Sequence, residues 1–321
     1  MKKFLLALGA ISLGLLLSGC GSNNNNSTAT SSSTESTKEV PTLTIGIMPS
    51  IDNVPLILAH EKGFDVKNGV NLDIQTFKSA KDRDAAFQGG TLDGISADLI
   101  AVAISRNAGS DLMITGSTYV WFDLITGDDS VKSVADLKGK EVIVSKNTST
   151  EYALAKMLEK AGLTMNDVTI TEVPAVPTRV ELLKSGKAAA AILPEPFATI
   201  AKADGLRTIS TTTDVNINPF IMAFPQATID KKAPEIQAMY KAYNEAVEFI
   251  KNNDKSKYID TFVSAIGFPE DMKDKIVVPN YPPATQAKEE DIKVAFAWAK
   301  SAGLLDKEIA PKDVLSNVFF K

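Results

Sequence analysis

The residue types that most often carry out catalysis or bind zinc are scarce in this chain of 321 residues. It contains one histidine, His60, and one cysteine, Cys20. A Cys/His zinc site takes three or four such ligands and an intramolecular disulfide takes two cysteines, so the sequence excludes both. His60 lies in the segment LILAHEKG without the second histidine of an HExxH metal motif, and we expect it on a helix surface. Any metal site would need carboxylates alone, and we predict none.

Motifs for nucleophilic and phosphate chemistry are also absent from the sequence. G-x-S-x-G, S-x-x-K, the Walker glycine-lysine loop and G-x-G-x-x-G do not occur. Neighbouring acids occur at Asp128-Asp129 and at residues 289–291, where a loop and the solvated first turn of a helix explain them better than catalysis. The sequence therefore gives no support for an enzyme and predicts no cofactor.

The lone cysteine stands at the end of an export signal. Lys2 and Lys3 precede an apolar run over residues 4–17, which is too short for a relaxed transmembrane span, and the sequence LSGC follows it. This ending resembles the lipobox of bacterial lipoproteins. The resemblance implies that residues 1–19 are a signal peptide that is removed and that Cys20 receives a lipid anchor on the extracytoplasmic face of the cell membrane.

The segment that follows the cysteine has the composition of a tether. Of the 19 residues from 21 to 39, 14 are Ser, Thr or Asn, and such a stretch cannot bury enough apolar surface to fold. We predict a flexible tether over 20–39 with a reach of about 25 Å. The whole chain has 34 basic and 39 acidic residues and a net charge of −5, which argues against a nucleic-acid partner.

From about residue 40, segments with strand and helix patterns alternate in two similar series. The pattern predicts parallel βαβ units in both series. Beyond Pro219, one strand precedes a run of amphipathic helices. The predicted strands are 43–47, 72–77, 94–96, 112–115, 141–145, 168–173, 189–193 and 220–224, and the predicted helices are 53–62, 82–88, 99–107, 152–161, 179–184, 235–251 and 288–302.

Several segments resemble the ABC-transporter solute-binding proteins of the nitrate, sulfonate, taurine and thiamine-pyrimidine-precursor group. They are LTIGIMPSIDNVPLILAHEKGF from Leu43, SVADLKGK from Ser133, LLKSGKAAAAI from Leu182, and Glu195-Pro196. The chain departs from the family pattern at Ala189, where the family often has Asp. The resemblance covers about residues 43–225.

The resemblance implies an α/β, two-lobe, type 2 periplasmic-binding-protein fold, in which each lobe is a mixed, mostly parallel sheet flanked by helices. We expect lobe one to comprise 40–127 plus 219–321 and lobe two to comprise 128–218. Two crossovers, near 127–130 and 214–218, would form the hinge. Ligands of open α/β sheets bind at the carboxyl ends of the strands, so the site is expected between the lobes.

That rule selects candidate ligand contacts in both lobes. In lobe one they are Ser50, Asp52, Asn53, Ala97, Asp98, Tyr119 and Trp121, and in lobe two Asn147, Thr148, Ser149, Glu195 and Asn218. Most have a second interpretation. Asn53 and Asp98 are good helix N-caps, Tyr119 and Trp121 are either a stacking wall or core, and Glu195 either accepts from a ligand or caps the next helix. Thr148-x-x-Glu151 also fits a capping box.

The choice of solute stays open between a thiamine-pyrimidine precursor, an amine and a sulfonate-like or nitrate-like anion. An acidic cleft of Asp52, Asp98 and Glu195 favours a heterocycle or an amine. A sulfonate site would gain from a bidentate arginine, and Arg179 is the one we place near the cleft.

By resemblance, the protein is a monomeric lipoprotein that captures a small solute by lobe closure and delivers it to an ABC permease and its ATPase. Two alternatives remain. One is an enzyme on the same fold, since menaquinone-pathway enzymes resemble it, and the other is a sensor or adhesion lipoprotein that binds a protein partner.

Overall fold

The computed structural model describes residues 40–319. The predicted signal peptide, Cys20 and the tether lie outside the described residues. Within residues 40–319, no helix combines the length and apolar character that crossing a bilayer requires.

Ten strands form two five-stranded sheets. The strands are β1 (Thr42–Ile47), β2 (Asn71–Thr76), β3 (Gly94–Asp98), β4 (Leu112–Ser117), β5 (Phe122–Thr126), β6 (Glu141–Val144), β7 (Thr169–Glu172), β8 (Ala190–Pro194), β9 (Arg207–Thr211) and β10 (Phe220–Pro225). The first sheet has the order β2-β1-β3-β10-β4 and the second has the order β7-β6-β8-β5-β9. The predicted mixed, mostly parallel sheets are confirmed.

The two sheets have the same topology. In each, the first three strands are parallel, and the fourth is antiparallel to both of its neighbours. Registers match as well: Phe220 of β10 faces Asp98, the last residue of β3, and Phe122 of β5 faces Pro194, the last residue of β8. Strand residues of one sheet can therefore be compared with their counterparts in the other.

The fourth strand of each sheet comes from the chain segment that has just left the other sheet. β5 directly follows β4 of the first sheet but pairs with β8 and β9 of the second. The predicted boundary at residue 127 therefore lies too late, because the chain crosses between β4 and β5. The second crossover lies between β9 and β10. Two strands were not predicted from the sequence: β5, whose pattern is interrupted by Asp123, and the short polar edge strand β9.

Helices cover the faces of both sheets. They are α1 (Val54–Glu61), α2 (Phe64–Asn68), α3 (Ala80–Gln88), α4 (Leu99–Asn107), α5 (Ser149–Lys160), α6 (Val176–Lys184), α7 (Phe197–Ala203), α8 (Gln226–Asn252), α9 (Ile259–Thr261) and α10 (Glu289–Ser301). The 27-residue helix α8 starts nine residues before the predicted one, with a break in helical geometry at Lys232 and a proline at Pro234. Its apolar stripe, including Ile236 and Met239, is buried as the spacing predicts.

Helix α5 of lobe two also packs against lobe one. Tyr152 is 1% exposed and belongs to the apolar cluster under β3 and α4, where its ring lies 5.4 Å from that of Trp298 in α10. This contact joins the two sheets on the side of the cleft next to α4.

Candidate functional site

A cavity of about 300 Å³ lies between the lobes, at the carboxyl ends of the parallel strands of both sheets. Residues just beyond β1 and β6, such as Met48 and Ser145, occupy equivalent positions in its wall, as do Lys78 and Pro174 beyond β2 and β7. Seven of the predicted ligand contacts line it: Ser50, Asp52, Asn53, Ala97, Asp98, Thr148 and Ser149. The rule about strand ends therefore selected residues that line this cavity.

In lobe one, Asp52 and Asn53 form a buried polar corner after β1. The hydroxyl of Thr118 donates to Asp52 Oδ2 at 2.8 Å, and Asn53 Nδ2 donates to the Met48 carbonyl at 3.1 Å. Burial raises the pKa of Asp52 above its ordinary value, although hydrogen bonds from Ser50 and Thr118 oppose the shift. Among the described residues, Asn53 Oδ1 has no hydrogen-bond partner. The predicted N-cap hydrogen bond of Asn53 is not formed.

Asp98 links the two lobes across the cleft. Its Oδ1 accepts from the main-chain N–H groups of Ile100 and Ala101, so the predicted N-cap of α4 is confirmed. Its Oδ2 accepts from the hydroxyl of Ser149, the first residue of α5 in lobe two, at 2.9 Å. One carboxylate thus caps a helix in its own lobe and binds the start of a helix in the other.

At the start of α5, side chains of the protein itself accept hydrogen bonds from main-chain N–H groups. Thr148 is the N-cap and accepts from the N–H of Thr150, while Glu151 accepts from the N–H of Asn147 at 2.6 Å. The predicted reciprocal capping box between Thr148 and Glu151 is therefore wrong, because Glu151 bonds one residue further back. Asn147 has a positive φ of 61° and is exposed, and it does not line the cavity.

Two phenylalanines form the apolar floor of the cavity. Phe122 and Phe220 begin the two strands that cross between the lobes, and their rings meet edge to face with centroids 4.8 Å apart. The predicted stacking residue Trp121 does not line the cavity. Side chains alternate along a strand, so Trp121 lies on the opposite face, where its indole N–H donates to the Asp123 carboxylate. Tyr119 is 38% exposed in the crossover and is also not part of the lining.

Glu195 and Asn218 do not line the cavity either. The Glu195 carboxylate accepts from the N–H and the hydroxyl of Thr199, both at 2.9 Å, so the alternative in which it caps the next helix, α7, is the one observed. Burial raises its pKa, and Lys202 at 3.6 Å opposes the shift. Asn218 donates to Ser117 and to the Thr118 carbonyl and so braces the second crossover against the end of β4.

Two arginines line the cavity, of which only Arg179 was placed near the cleft from the sequence. Arg83 and Arg179 are 3% and 2% exposed. Arg83 also lies in the first turns of a helix that follows a strand, as Arg179 does. Of the three acids of the predicted acidic cleft, Asp52 and Asp98 line the cavity and Glu195 does not. Asp98 already accepts a hydrogen bond from Ser149.

His60 takes no part in the cavity. Its Nδ1 lies 2.7 Å from the buried carboxylate of Asp65, and its side chain is 47% exposed. The predicted helix-surface position is confirmed, and no group of three or more His, Cys, Asp or Glu side chains that could hold a metal ion occurs within residues 40–319.

Comparison with known proteins gives consistent results. The model of the NMT1-like family matches residues 36–264. A putative aliphatic sulfonates-binding protein of Bacillus subtilis is 26% identical, with 100% of this chain and 96% of the relative covered. A putative ABC transporter periplasmic binding protein of Brachyspira hyodysenteriae is 25% identical over 78% of this chain and 74% of the relative.

Solved structures share the fold. The periplasmic aliphatic sulphonate binding protein SsuA of Escherichia coli superimposes with a TM-score of 0.72 at 20% identity, with 86% of this chain and 92% of that chain covered. The desulfurization enzyme DSZB also superimposes, with a TM-score of 0.62 at 16% identity, over 87% of this chain and 97% of that chain. The fold alone is therefore compatible with both a binding protein and an enzyme.

Proposed function

Because this chain belongs to the NMT1-like family, we propose that it is the solute-binding component of an ABC importer outside the cytoplasm. The observation that carries the proposal is the cavity between the lobes. It lies at the ligand-binding edge of both sheets, and the Asp98–Ser149 hydrogen bond and Tyr152 connect its two walls. Such an arrangement suits capture by closure, in which a solute that contacts both walls stabilises the closed state.

The size and lining of the cavity favour a small organic solute. Its walls are mostly apolar, with Phe122, Phe220 and Phe197 among them, and its polar groups lie at separate points. A solute with an apolar body and one or two polar groups fits this pattern. A dissociation constant near one micromolar corresponds to about −8 kcal/mol, which several hydrogen bonds and the aromatic contacts can supply.

We propose that the protein binds this solute without converting it. The relatives named for binding a solute support this choice. Within residues 40–319, the cavity lining includes no histidine or cysteine, and its carboxylates, Asp52 and Asp98, already accept hydrogen bonds from the protein.

The test is to purify the full chain, release any small molecule that accompanies it and identify that molecule by mass spectrometry. We expect one solute per chain, which rebinds unchanged and stimulates the ATPase of the cognate permease in proteoliposomes. Chemical conversion of the solute by the protein would favour an enzyme. Binding of a protein with no solute and no effect on the ATPase would favour the sensor or adhesion alternative.

We further propose that Cys20 anchors the protein to the membrane as a monomer. The charged start, the apolar run and the LSGC ending support this. Cys20→Ser should leave the chain without lipid and alter its processing, as seen by the mass of its N-terminal peptide and by release from the membrane fraction. An unmodified N-terminus on the wild-type protein would contradict the anchor, and a dimer mass in light scattering would contradict the monomer.

A further inference from the structure

Arg83 and Arg179 occupy equivalent places in the two lobes. Each is the fourth residue of the helix that follows the second parallel strand, α3 in lobe one and α6 in lobe two. Each donates from Nη1 to the carbonyl of the third residue of the next strand, which is Ser96 at 2.8 Å and Ile192 at 3.1 Å. The two side chains are therefore positioned in the same way at the same cavity.

The two arginines differ in whether a carboxylate neutralises the guanidinium. Arg83 donates from both Nε and Nη2 to the carboxylate of Asp84, at 2.9 and 2.7 Å. The residue after Arg179 is Val180, and Nε and Nη2 of Arg179 donate to the carbonyls of Val173 and Pro174. Across residues 40–319, no carboxylate lies within ion-pair distance of Arg179. Of the two arginines, only Arg179 thus brings an unneutralised charge to the cavity, and it is buried, whereas Lys78, which also lines the cavity without an ion pair among the described residues, is exposed.

The hydrogen-bonding capacity of Arg179 is also incompletely used. A guanidinium has five N–H groups, and three carbonyls accept three of them, so two remain. Burial lowers the pKa of Arg179 to about 10, which still leaves it charged at neutral pH. A buried charge without a counterion is costly, and an anionic ligand removes that cost.

The first turns of α3 and α6 also differ in how far the protein neutralises them. In α3, Ser79 caps the first turn by accepting from the N–H of Asp82, and Asp82 adds an acid there. In α6, no side chain caps the first turn and no acid lies in it, while Val176 and Pro177 line the cavity. The positive end of the α6 dipole therefore reaches the cavity beside Arg179.

Building on the proposed function, we infer that Arg179 and the first turn of α6 form the anion subsite of the cavity and that Arg83 contributes no net charge to it. The group bound there is an oxyanion, such as a sulfonate, carboxylate or phosphonate, and the apolar floor receives the rest of an organic molecule. The cavity is far larger than an inorganic ion such as nitrate requires.

The experiment follows thermal unfolding of the full chain, freed of bound solute, as propanesulfonate, butanoate, methylphosphonate or the uncharged butanol is added, with sodium chloride matching the ionic strength. At ten times its dissociation constant, an oxyanion should raise the wild-type melting temperature by about 2 °C. Butanol should do less. Arg179→Gln should lower affinity for the oxyanions about a hundredfold. Arg179→Lys keeps the charge but lacks the paired N–H donors of the guanidinium, and it should lower the affinity about tenfold.

The matched control removes an arginine that does not line the cavity. Arg106→Gln deletes one guanidinium in the last turn of α4, with the same change of net charge as Arg179→Gln, and should change oxyanion affinity less than threefold. Circular dichroism of each variant without added anion verifies folding, and Arg179→Lys is the variant that decides if Arg179→Gln does not fold.

The inference is wrong if no oxyanion stabilises the wild type beyond sodium chloride. It is equally wrong if the Arg179 variants respond as the wild type does. The importer proposal is tested separately, through the permease ATPase, so that a failure of one does not imply a failure of the other.

Discussion

The two lobes share one topology but use it for different purposes. In lobe one, the acids Asp84 and Asp98 neutralise an arginine and bind the helix start of the other lobe. In lobe two, the equivalent positions hold Val180 and Pro194, and the arginine keeps its charge. Two sheets of the same topology therefore place different charges at the cavity because a few side chains differ between them. Lobe one supplies the carboxylate that binds across the cleft, and lobe two supplies the buried arginine without a carboxylate partner.

The largest expected effect concerns the packing of the third strand. Gly94 and Ala190 begin β3 and β8, and a methyl group at Gly94 would overlap the ring of the fully buried Phe224. Gly94→Ala should therefore lower the free energy of unfolding by about 3 kcal/mol. Ala190→Gly, the reverse change in lobe two, should lower it by about 1 kcal/mol. Urea unfolding measures both, and equal losses would contradict the asymmetry.

The next largest effect is expected from removing the hydrogen bond between Ser149 and Asp98. Ser149→Ala deletes the donor to Asp98, and hydrogen bonds to charged groups contribute about 1.5 kcal/mol or more. The closed state should become about tenfold less populated relative to the open state, so the dissociation constant for propanesulfonate should rise by up to about tenfold. Calorimetry and small-angle X-ray scattering of the free protein provide the measurements.

The matched control for that variant is Ser185→Ala. Ser185 donates to the Leu182 carbonyl at an exposed helix end of lobe two, away from the cavity. It should leave both affinity and scattering unchanged. If Ser149→Ala behaves in the same way, the Asp98–Ser149 bond does not govern closure.

A third change makes lobe one resemble lobe two. Asp84→Asn keeps the size of the side chain but frees the charge of Arg83, which lines the cavity. Affinity for propanesulfonate should rise about fivefold at low ionic strength and fall back as salt is added. Asp129→Asn, which removes the fully exposed partner of Arg207 in lobe two, is the control. An Asp84→Asn affinity equal to that of the control would show that the Arg83 charge does not reach the ligand.

The smallest expected effect is a pH dependence that comes from lobe two. Asp123 and Glu195 are buried, whereas the equivalent positions in lobe one, Ile221 and Leu99, are apolar. Burial raises the pKa of both carboxyls, with Lys202 opposing the shift. The folded state therefore holds protons that the unfolded state releases, so their contribution to stability is present below the ordinary carboxyl pKa of about 4 and is lost as pH rises through the raised values.

Asp123→Asn should flatten this dependence. We expect the melting temperature of the wild type to fall by a few degrees more than that of Asp123→Asn between pH 4 and 7, as measured by calorimetry. Parallel curves for the two proteins would show that Asp123 titrates normally. The comparison is made without ligand, because Asp52 at the cavity also has a raised pKa.

Local patterns in the sequence predicted most of the frame. The strands and helices around β1–β4 and β6–β8 follow from periodicity and caps, as at Asp98, because those signals need only neighbouring residues. Trp121 and Phe122 show the limit of local patterns. Which of the two lines the cavity depends on the face of β5 that each occupies, and β5 was not predicted. The equivalence of Arg83 and Arg179 depends on topology and register, which no local pattern contains.

The crossing strands also determine the order in which the protein is completed. β10, which is fully buried except at its last residue, lies between β3 and β4, yet it is synthesised after the whole second sheet. During export, β3 and β4 therefore emerge with unpaired edges that face each other, while the second sheet already has all of its strands. A chain truncated before residues 220–225 therefore has every strand of the second sheet but lacks the strand that joins β3 to β4 in the first.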